Sequence, residues 1–400
     1  MNIVYIHSAY TPNDLIGNWF SVTRKWAKSE GGNAFFVIKF TRRNTQKDDL
    51  QVGNSLSCWL HSYMFNKFGL QDCFSYFATR KLLKRLDLIK PHVIHLHVIN
   101  DCFLHLGLLC KYVNKHNIKV VWTFHDARVL TGMCPCPNYC ECDKWKTVCR
   151  DCNPIYKFVY PSKPVINLVR FVHNYRKHNI SKIKKLMIVT PSKWMASMVS
   201  QSYLKDKKCI VINNGINITE FHPTENNIRE KYNISPNIKI LLSIGNPISI
   251  LKGREYLYKL AKELPQGFVL IMVGCVQDDI IKFEGNKHVF ALPRIDRDEL
   301  LKFYSAADLF INPTLADNFP TVNLEAQACG CPVVAFDSDG TPETVDPQRG
   351  KIVPRNNYEA LKEAIFNFKY DGASESAISF ASQFDQKKCI NEYIRLYKEL

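Results

Sequence analysis

No stretch of this 400-residue chain reaches the roughly 18 consecutive apolar residues that a bilayer-crossing helix needs. The first residues, MNIVYIHSAY, carry neither a charged leader nor a cleavage site and read as a strand. The expectation is a cytoplasmic protein. Internal repeats and low-complexity segments are also missing, which excludes repeat architectures. Acidic residues are scarce in one half only. Residues 1–200 hold 29 Lys and Arg against 11 Asp and Glu; residues 201–400 hold 24 against 26. So basic a half suits a polyanionic partner: membrane headgroups, a phosphate-linked acceptor or nucleic acid.

Cysteine, by contrast, is plentiful. There are 15, and six lie between 134 and 152. In a cytosolic chain such a cluster favours metal over disulfides. Cys149 and Cys152 have chelating spacing, and Cys134, Cys136, Cys140 and Cys142 offer a second pair. Four thiolates would hold Zn²⁺ tetrahedrally with no open position, a structural and not a catalytic metal. The remaining cysteines read as small buried apolar side chains.

The length suits two domains, and 46% apolar residues is ordinary for a globular protein. Strand-like segments alternate with helical ones in both halves. Ile3–His7 is followed by a loop at 11–18 and a helix to about Glu30, the opening of a doubly wound α/β domain. Residues 41–73 read as polar and irregular. In PHVIHLHVIND, His95 and His97 alternate with apolar neighbours, so at least one points inward. The strand Lys119–Phe124 ends in His125-Asp126, which puts an imidazole where such domains bind ligands. Residues 155–185 mix aliphatic, aromatic and basic side chains. Val165, Leu168, Val169, Val172 and Tyr175 share a helical face, with Arg170, Arg176 and Lys177 elsewhere, a stripe suited to anionic lipid or to the core.

The most informative stretch is DNFPTVNLEAQACGCPVVAFDSDGTPE, Asp317 to Glu343. Asp317, Asn318 and Pro320 signal a helix start, Val322, Ala326 and Cys329 recur at helical spacing, and Gly330 and Pro332 end the helix. Pro332–Phe336 reads as a buried strand. Glu325 stands seven residues beyond Asp317 and shares a face with Thr321. The start of such a helix offers N–H donors and a positive dipole end to an anionic or hydroxyl-rich ligand.

This pattern resembles the acid-x7-acid signature of retaining, nucleotide-sugar-dependent glycosyltransferases, the group 1 or family 4 type. ACGCPVVAFDSDGTPE is similar to the group's usual continuation, with Asp317 where Glu is commoner. TFHD followed by TGMC, with Cys142, Trp145, Cys149 and Cys152, resembles a bacterial surface-polysaccharide branch. Asn213–Asn217 with Phe221 and Pro223 resembles the group's interdomain linker, and Lys252-Gly253 its "KG" element.

The resemblance implies the GT-B fold, two Rossmann-like α/β domains facing across a cleft. The expected division is 1–213, with a Cys-rich insertion at 131–154, then 214–385. A last helix, 386–400, would cross back to the first domain. It implies a donor site built from Lys252 (pyrophosphate), Glu325 (ribose), Asp317 with Asn318 and Phe319 (sugar hydroxyls), Thr321 and Gly17. His125 would lie beside the anomeric carbon, and Cys134, Cys142, Cys149 and Cys152 would hold structural zinc. The implied substrates are a nucleoside-diphosphate sugar and a glycan or polyprenyl-linked acceptor. The enzyme would rest on the anionic inner face of the plasma membrane, with no catalytic metal and no nucleic acid. Two other readings stay open: a GT-B nucleotide-sugar epimerase or hydrolase, and a metal-stapled nucleic-acid-binding protein.

Overall fold

Near-continuous apolar strands separated by amphipathic helices require parallel sheets covered on both faces. A computed structural model describes residues 1–8, 15–41, 49–152, 165–245 and 250–400. It divides into two units, Met1–Ile212 with Ile390–Leu400, and Asn213–Cys389.

The first unit is built on β1 (Asn2–His7), β2 (Asn33–Lys39), β3 (Leu50–Val52), β4 (Val93–Leu96), β5 (Lys119–Thr123), β6 (Leu186–Thr190) and β7 (Lys208–Val211). Their order is β3-β2-β1-β4-β5-β6-β7, and every neighbour pair is parallel. The order reverses between β1 and β4, the switch point where such sheets bind ligands beyond the carboxyl ends of the strands. Val4, Ile6, Ile94, Val120, Trp122 and Ile188 form the centre of its core.

The second unit carries β8 (Lys239–Ile244), β9 (Phe268–Val273), β10 (Val289–Leu292), β11 (Leu309–Asn312), β12 (Val333–Asp337) and β13 (Lys351–Pro354). The order β10-β9-β8-β11-β12-β13 is again wholly parallel, with its switch point between β8 and β11. Leu242, Ile271, Phe310 and Val333 pack with Leu324 and Ala326 of the Thr321–Ala328 helix.

Three expectations need correction. Residues 41–73 are not all irregular: β3 and a helix, Ser55–Phe68, lie there. That helix opens with a reciprocal cap between Asn54 and Ser57. It buries only Cys58 and His61, and Leu56, Trp59, Leu60 and Tyr63 face solvent. Its apolar stripe therefore points the wrong way for an amphipathic reading. The second correction concerns the basic stripe of 155–185. A helix runs from Val169 to Ile180, residues 153–164 lie outside the described residues, and Arg176 is buried, not available to lipid. Third, the expected loop at 11–18 ends sooner, because the first helix begins at Leu15.

The last helix, Gln386–Glu399, starts against the linker, where Gln386 N–H donates to Ile216 O at 2.8 Å. A Cβ on Gly215 would sit 2.6 Å from Gln386 Cα, so this crossing requires glycine. From Ile390 onward the helix belongs to the first unit, where Tyr393 and Tyr397 are buried.

Candidate active site

In the second unit two loops leave the strands that flank the switch point. One follows β8 and leads through Ile250–Lys252 to the Arg254–Lys262 helix. The other follows β11 and leads to the Thr321–Ala328 helix. They are zipped together: Leu315 N–H donates to Leu251 O at 2.7 Å, and Thr314 Oγ1 to the same carbonyl at 3.0 Å. Gly253 sits at φ 70°, and a Cβ there would lie 1.9 Å from Pro313 O. Both facts demand glycine, which accounts for the Lys-Gly pair.

This close approach brings Lys252 Nζ to 2.6 Å from Asp317 Oδ2, 65 residues away in sequence. Asp317 Oδ1 also accepts from Phe319 N–H at 3.2 Å, and Asp317 O accepts from Gly340 N–H at 3.1 Å. The motif's two ends are thereby joined. The Phe319 ring itself is buried against Phe384, so only its backbone belongs to the site. Pro320 is the N-cap of the helix and offers no side-chain cap, leaving first-turn N–H groups for a ligand. Gly330, at φ 86°, ends the helix as expected from the motif.

Glu325 lies one turn inside the helix and is partly buried. Tyr304 Oη donates to its Oε2 at 3.2 Å, and Thr321 also hydrogen-bonds it. Burial raises its pKa, opposed by those two hydrogen bonds and by Arg297. Tyr304 is buried throughout and its own pKa is pushed well above the usual phenol, first by that burial and then by the carboxylate. Asn318 sits between Asp317 and Phe319 in the same turn and is partly exposed. Asn246, at the position where the resembled group often carries Arg, lies outside the described residues.

In the first unit, His7, His97 and His125 stand at the carboxyl ends of β1, β4 and β5, three adjacent strands around the other switch point. His97 Nδ1 and His125 Nε2 are 3.0 Å apart. His95, two residues before His97 and so on the same face of the strand, stacks on it at 4.2 Å. His95 also bonds Tyr397 Oη at 2.6 Å and Thr123 Oγ1 at 2.8 Å. Both strand histidines thus point inward. His125 is partly exposed at the rim, whereas His97 is buried. Burial pushes the His125 pKa down to about 4, with His7 adding to the effect, and holds His97 well below the usual imidazole range. His97 and His125 are therefore neutral at pH 7. Gly17 lies inside the first turn of the Leu15–Ser29 helix and is buried.

The expected zinc centre at Cys134, Cys142, Cys149 and Cys152 finds no support in the structure. Cys134, Cys142, Cys149 and Cys152 do line one small hollow, with Met133, Trp145 and Val169. Yet among the described residues no group of three or more His, Cys, Asp or Glu side chains is placed to hold a metal ion. Cys149 Sγ accepts Gly132 N–H at 3.3 Å, and burial pushes the pKa of Cys149 up to about 11 and of Cys152 up to about 12.

Sequence reasoning missed Arg176. It is 2% exposed and anchors the loop that follows His125. Its guanidinium donates to Asp72 Oδ2 at 2.5 Å and to Gln71 Oε1 at 2.8 Å. It also donates to the carbonyls of Arg128, Thr131 and Gly132 at 2.5, 2.8 and 3.1 Å. No local pattern marks it, because its partners come from two segments, 71–72 and 128–132, both distant in sequence.

Two parallel α/β units, each with polar residues at a switch point, have the GT-B fold. Solved structures agree over the whole chain. Sucrose-phosphate synthase from Thermosynechococcus elongatus superposes with a TM-score of 0.69 at 16% identity, covering 100% of this chain and 98% of its own. Anabaena HepE in complex with UDP-glucose gives 0.66 at 14% identity, covering 100% of both.

The family comparison is more specific. Residues 224–383 match the model of glycosyl transferases group 1, and residues 32–220 match that of glycosyltransferase family 4. The chain is a glycosyltransferase carrying these two domains. An Escherichia coli K12 protein assigned to colanic acid biosynthesis as a glycosyl transferase is 22% identical over 346 residues. That match covers 78% of this chain and 77% of the relative. D-inositol 3-phosphate glycosyltransferase of Mycobacteroides abscessus is 29% identical over 202 residues, 47% of this chain and 45% of the relative. Among the described residues no helix is long and apolar enough to cross a membrane.

Proposed function

We propose that this chain transfers a sugar from a nucleoside diphosphate to an acceptor hydroxyl on a glycan or lipid-linked glycan, with retention at the anomeric carbon. The observation that carries this reading is the Lys252–Asp317 pair at the switch point, beside an uncapped helix start with Glu325 one turn inside. The bond from the anomeric carbon to the diphosphate oxygen breaks, and its electron pair leaves with the diphosphate. Lys252 and the first-turn N–H groups stabilise that charge. Asp317, released from Lys252 as phosphate takes its place, accepts from sugar hydroxyls, to whose oxygens the Asn318–Phe319 backbone N–H groups donate. Glu325 accepts from the nucleotide ribose. The acceptor oxygen attacks from the face the diphosphate leaves, and its proton goes to a departing phosphate oxygen. No enzymatic nucleophile is needed. His125 supplies a neutral imidazole beside the reacting carbon.

Two similar proteins support this reading, one for the polysaccharide product and one for the nucleotide-sugar donor. The E. coli relative is assigned to colanic acid, and HepE was solved with UDP-glucose. A thermal-shift panel of nucleoside diphosphates and their sugars tests the donor site. One nucleotide is expected to raise Tm selectively. Lys252→Ala is expected to remove most of that shift and to lower kcat/KM by about 10²-fold, the usual loss of one charge-stabilising donor. A salt-sensitive shift with oligonucleotides alone would instead favour the nucleic-acid reading. Release of free sugar with no acceptor, as the sole product at any acceptor concentration, would favour a hydrolase.

The membrane contact belongs to this reading too, but on a different helix from the one expected. Leu56, Trp59, Leu60 and Tyr63, spaced 3, 1 and 3 apart, form one exposed stripe on Ser55–Phe68. Val165, 71% exposed, is tied to its end through N–H to Lys67 O at 2.6 Å. Lys67, Arg80, Lys81, Lys84 and Arg85 are exposed nearby in the chain. An exposed apolar stripe with Trp and Tyr in a strongly basic half of the chain fits an anionic bilayer surface. Trp59→Asp with Leu56→Asp is expected to abolish sedimentation with anionic vesicles at low salt while Tm holds. Undiminished binding by that variant would sink the assignment.

A further inference from the structure

His97 is buried, yet it hydrogen-bonds the ring of His125. His97 is 4% exposed and lies behind His125, with Trp19 edge-on at 4.8 Å and His95 stacked beneath at 4.2 Å. The 3.0 Å contact between His97 Nδ1 and His125 Nε2 joins two neutral rings inclined by 22°, so it holds one proton and one lone pair. Only two arrangements exist. If His125 Nε2–H donates, then His97 carries its proton on Nε2. That atom is buried and has no hydrogen-bond partner among the described residues. A buried N–H donor without an acceptor is the costlier of the two orphans. If His97 Nδ1–H donates, the orphan is only a lone pair against aromatic rings.

We infer that His97 is a positioning residue that donates Nδ1–H to His125 Nε2, fixing His125 as its Nδ1–H tautomer and fixing the angle at which it meets the ligand. Which nitrogen of a histidine carries the proton is set by the bond the other nitrogen makes. Here that bond comes from the neighbouring strand, because β4 and β5 pair in register (Leu96 with Trp122) and end at the same level. The groups around the pair leave it uncharged. His95 and His7 are imidazoles, and the nearby Asp126 is engaged by Arg128 at 2.6 and 2.8 Å. A second cation among three packed imidazoles would be repelled, which agrees with the depressed pKa values of His95, His97 and His125. This inference rests on His125 acting at the sugar, as proposed above.

The test has one readout that does not depend on activity. Histidine-selective ¹⁵N labelling of the full chain reports which ring nitrogen of His125 is protonated, the signal being assigned by its loss in His125→Ala. A protonated Nδ1 with a hydrogen-bonded, unprotonated Nε2 is expected. A protonated Nε2 in the wild type would overturn the inference. Kinetics supply the second readout. Asparagine at 97 places an amide donor near the Nδ1 position, whereas leucine offers none. His97→Leu is expected to lower kcat at least about tenfold with KM within about twofold, and His97→Asn to recover most of that loss. His97→Gln, whose amide reaches toward the Nε2 position, is expected to behave like leucine. If His125→Ala is impaired and His97→Leu is not, the positioning role is wrong and the reading of His125 stands. If His125→Ala turns over normally, both fall.

Discussion

Replacing Glu325 by alanine is expected to lower kcat/KM by about 10³-fold or more, equivalent to about 4 kcal/mol of lost transition-state stabilisation. The prediction rests on what the protein tolerates to keep this carboxylate. Burial raises the Glu325 pKa above the ordinary 4.5, with only Tyr304, Thr321 and Arg297 working against the shift. A raised folded-state pKa has a definite consequence for stability. The favourable contribution is complete below 4.5, where both states are protonated, and is lost as pH rises through the raised value. At neutral pH the ionised group therefore costs stability. Glu325→Gln keeps the shape and removes the charge, so it is expected to raise Tm while abolishing turnover. Each kcal/mol recovered is worth about 2–4 °C for a unit of this size. A difference that shrinks toward zero below pH 4.5 would identify the carboxylate as its source. Turnover at the wild-type rate in either variant would refute the assignment of Glu325 to the donor site.

The second large effect is structural. Arg176→Ala is expected to cost about 3–5 kcal/mol, because it strands Asp72 as a buried, unpaired charge and leaves three carbonyls without their donor. For the first unit this is a fall in Tm of roughly 10 °C. Removing both charges tests the cause. Arg176→Met combined with Asp72→Leu is expected to regain part of the loss, since no ion is then left in the interior. A double variant no better than Arg176→Ala would show that the carbonyl contacts carry the whole effect. Because Arg128, Thr131 and Gly132 follow closely on His125, the clamp also holds the segment on which that histidine sits. Folded Arg176→Ala is therefore expected to lose activity at temperatures well below its Tm.

How much of this was legible beforehand follows from the range of each signal. The Asp317–Glu343 motif is local: a turn, a short helix, a stop at Gly330 and a buried strand all lie within 27 residues, so spacing and residue type suffice. Strand ends such as Thr190 and Asn312 were equally readable, because apolar runs stop where loops begin. The Ser55–Phe68 helix was not, since its apolar side faces outward and inverts the rule that periodicity marks the core. The cysteines misled for a related reason. Chelating spacing is a property of the chain, whereas ligation depends on where the side chains are placed, and among the described residues no such group is placed to hold a metal ion. Arg170, Arg176 and Lys177 look alike in sequence, yet only Arg176 is enclosed.

By itself the sequence determined the class of fold, the boundaries of most strands, the acid pair on its helix and the basic balance of the first half. Each depends on neighbours within a few turns of chain, where backbone geometry alone sets which side chains share a face. Only the tertiary structure decided that Lys252 meets Asp317, that His97 holds His125, and that Arg176 is a buried clamp. Those contacts join residues from 28 to 104 positions apart. They exist because parallel strands bring the carboxyl ends of distant segments to one level, a consequence of sheet order that no local pattern encodes.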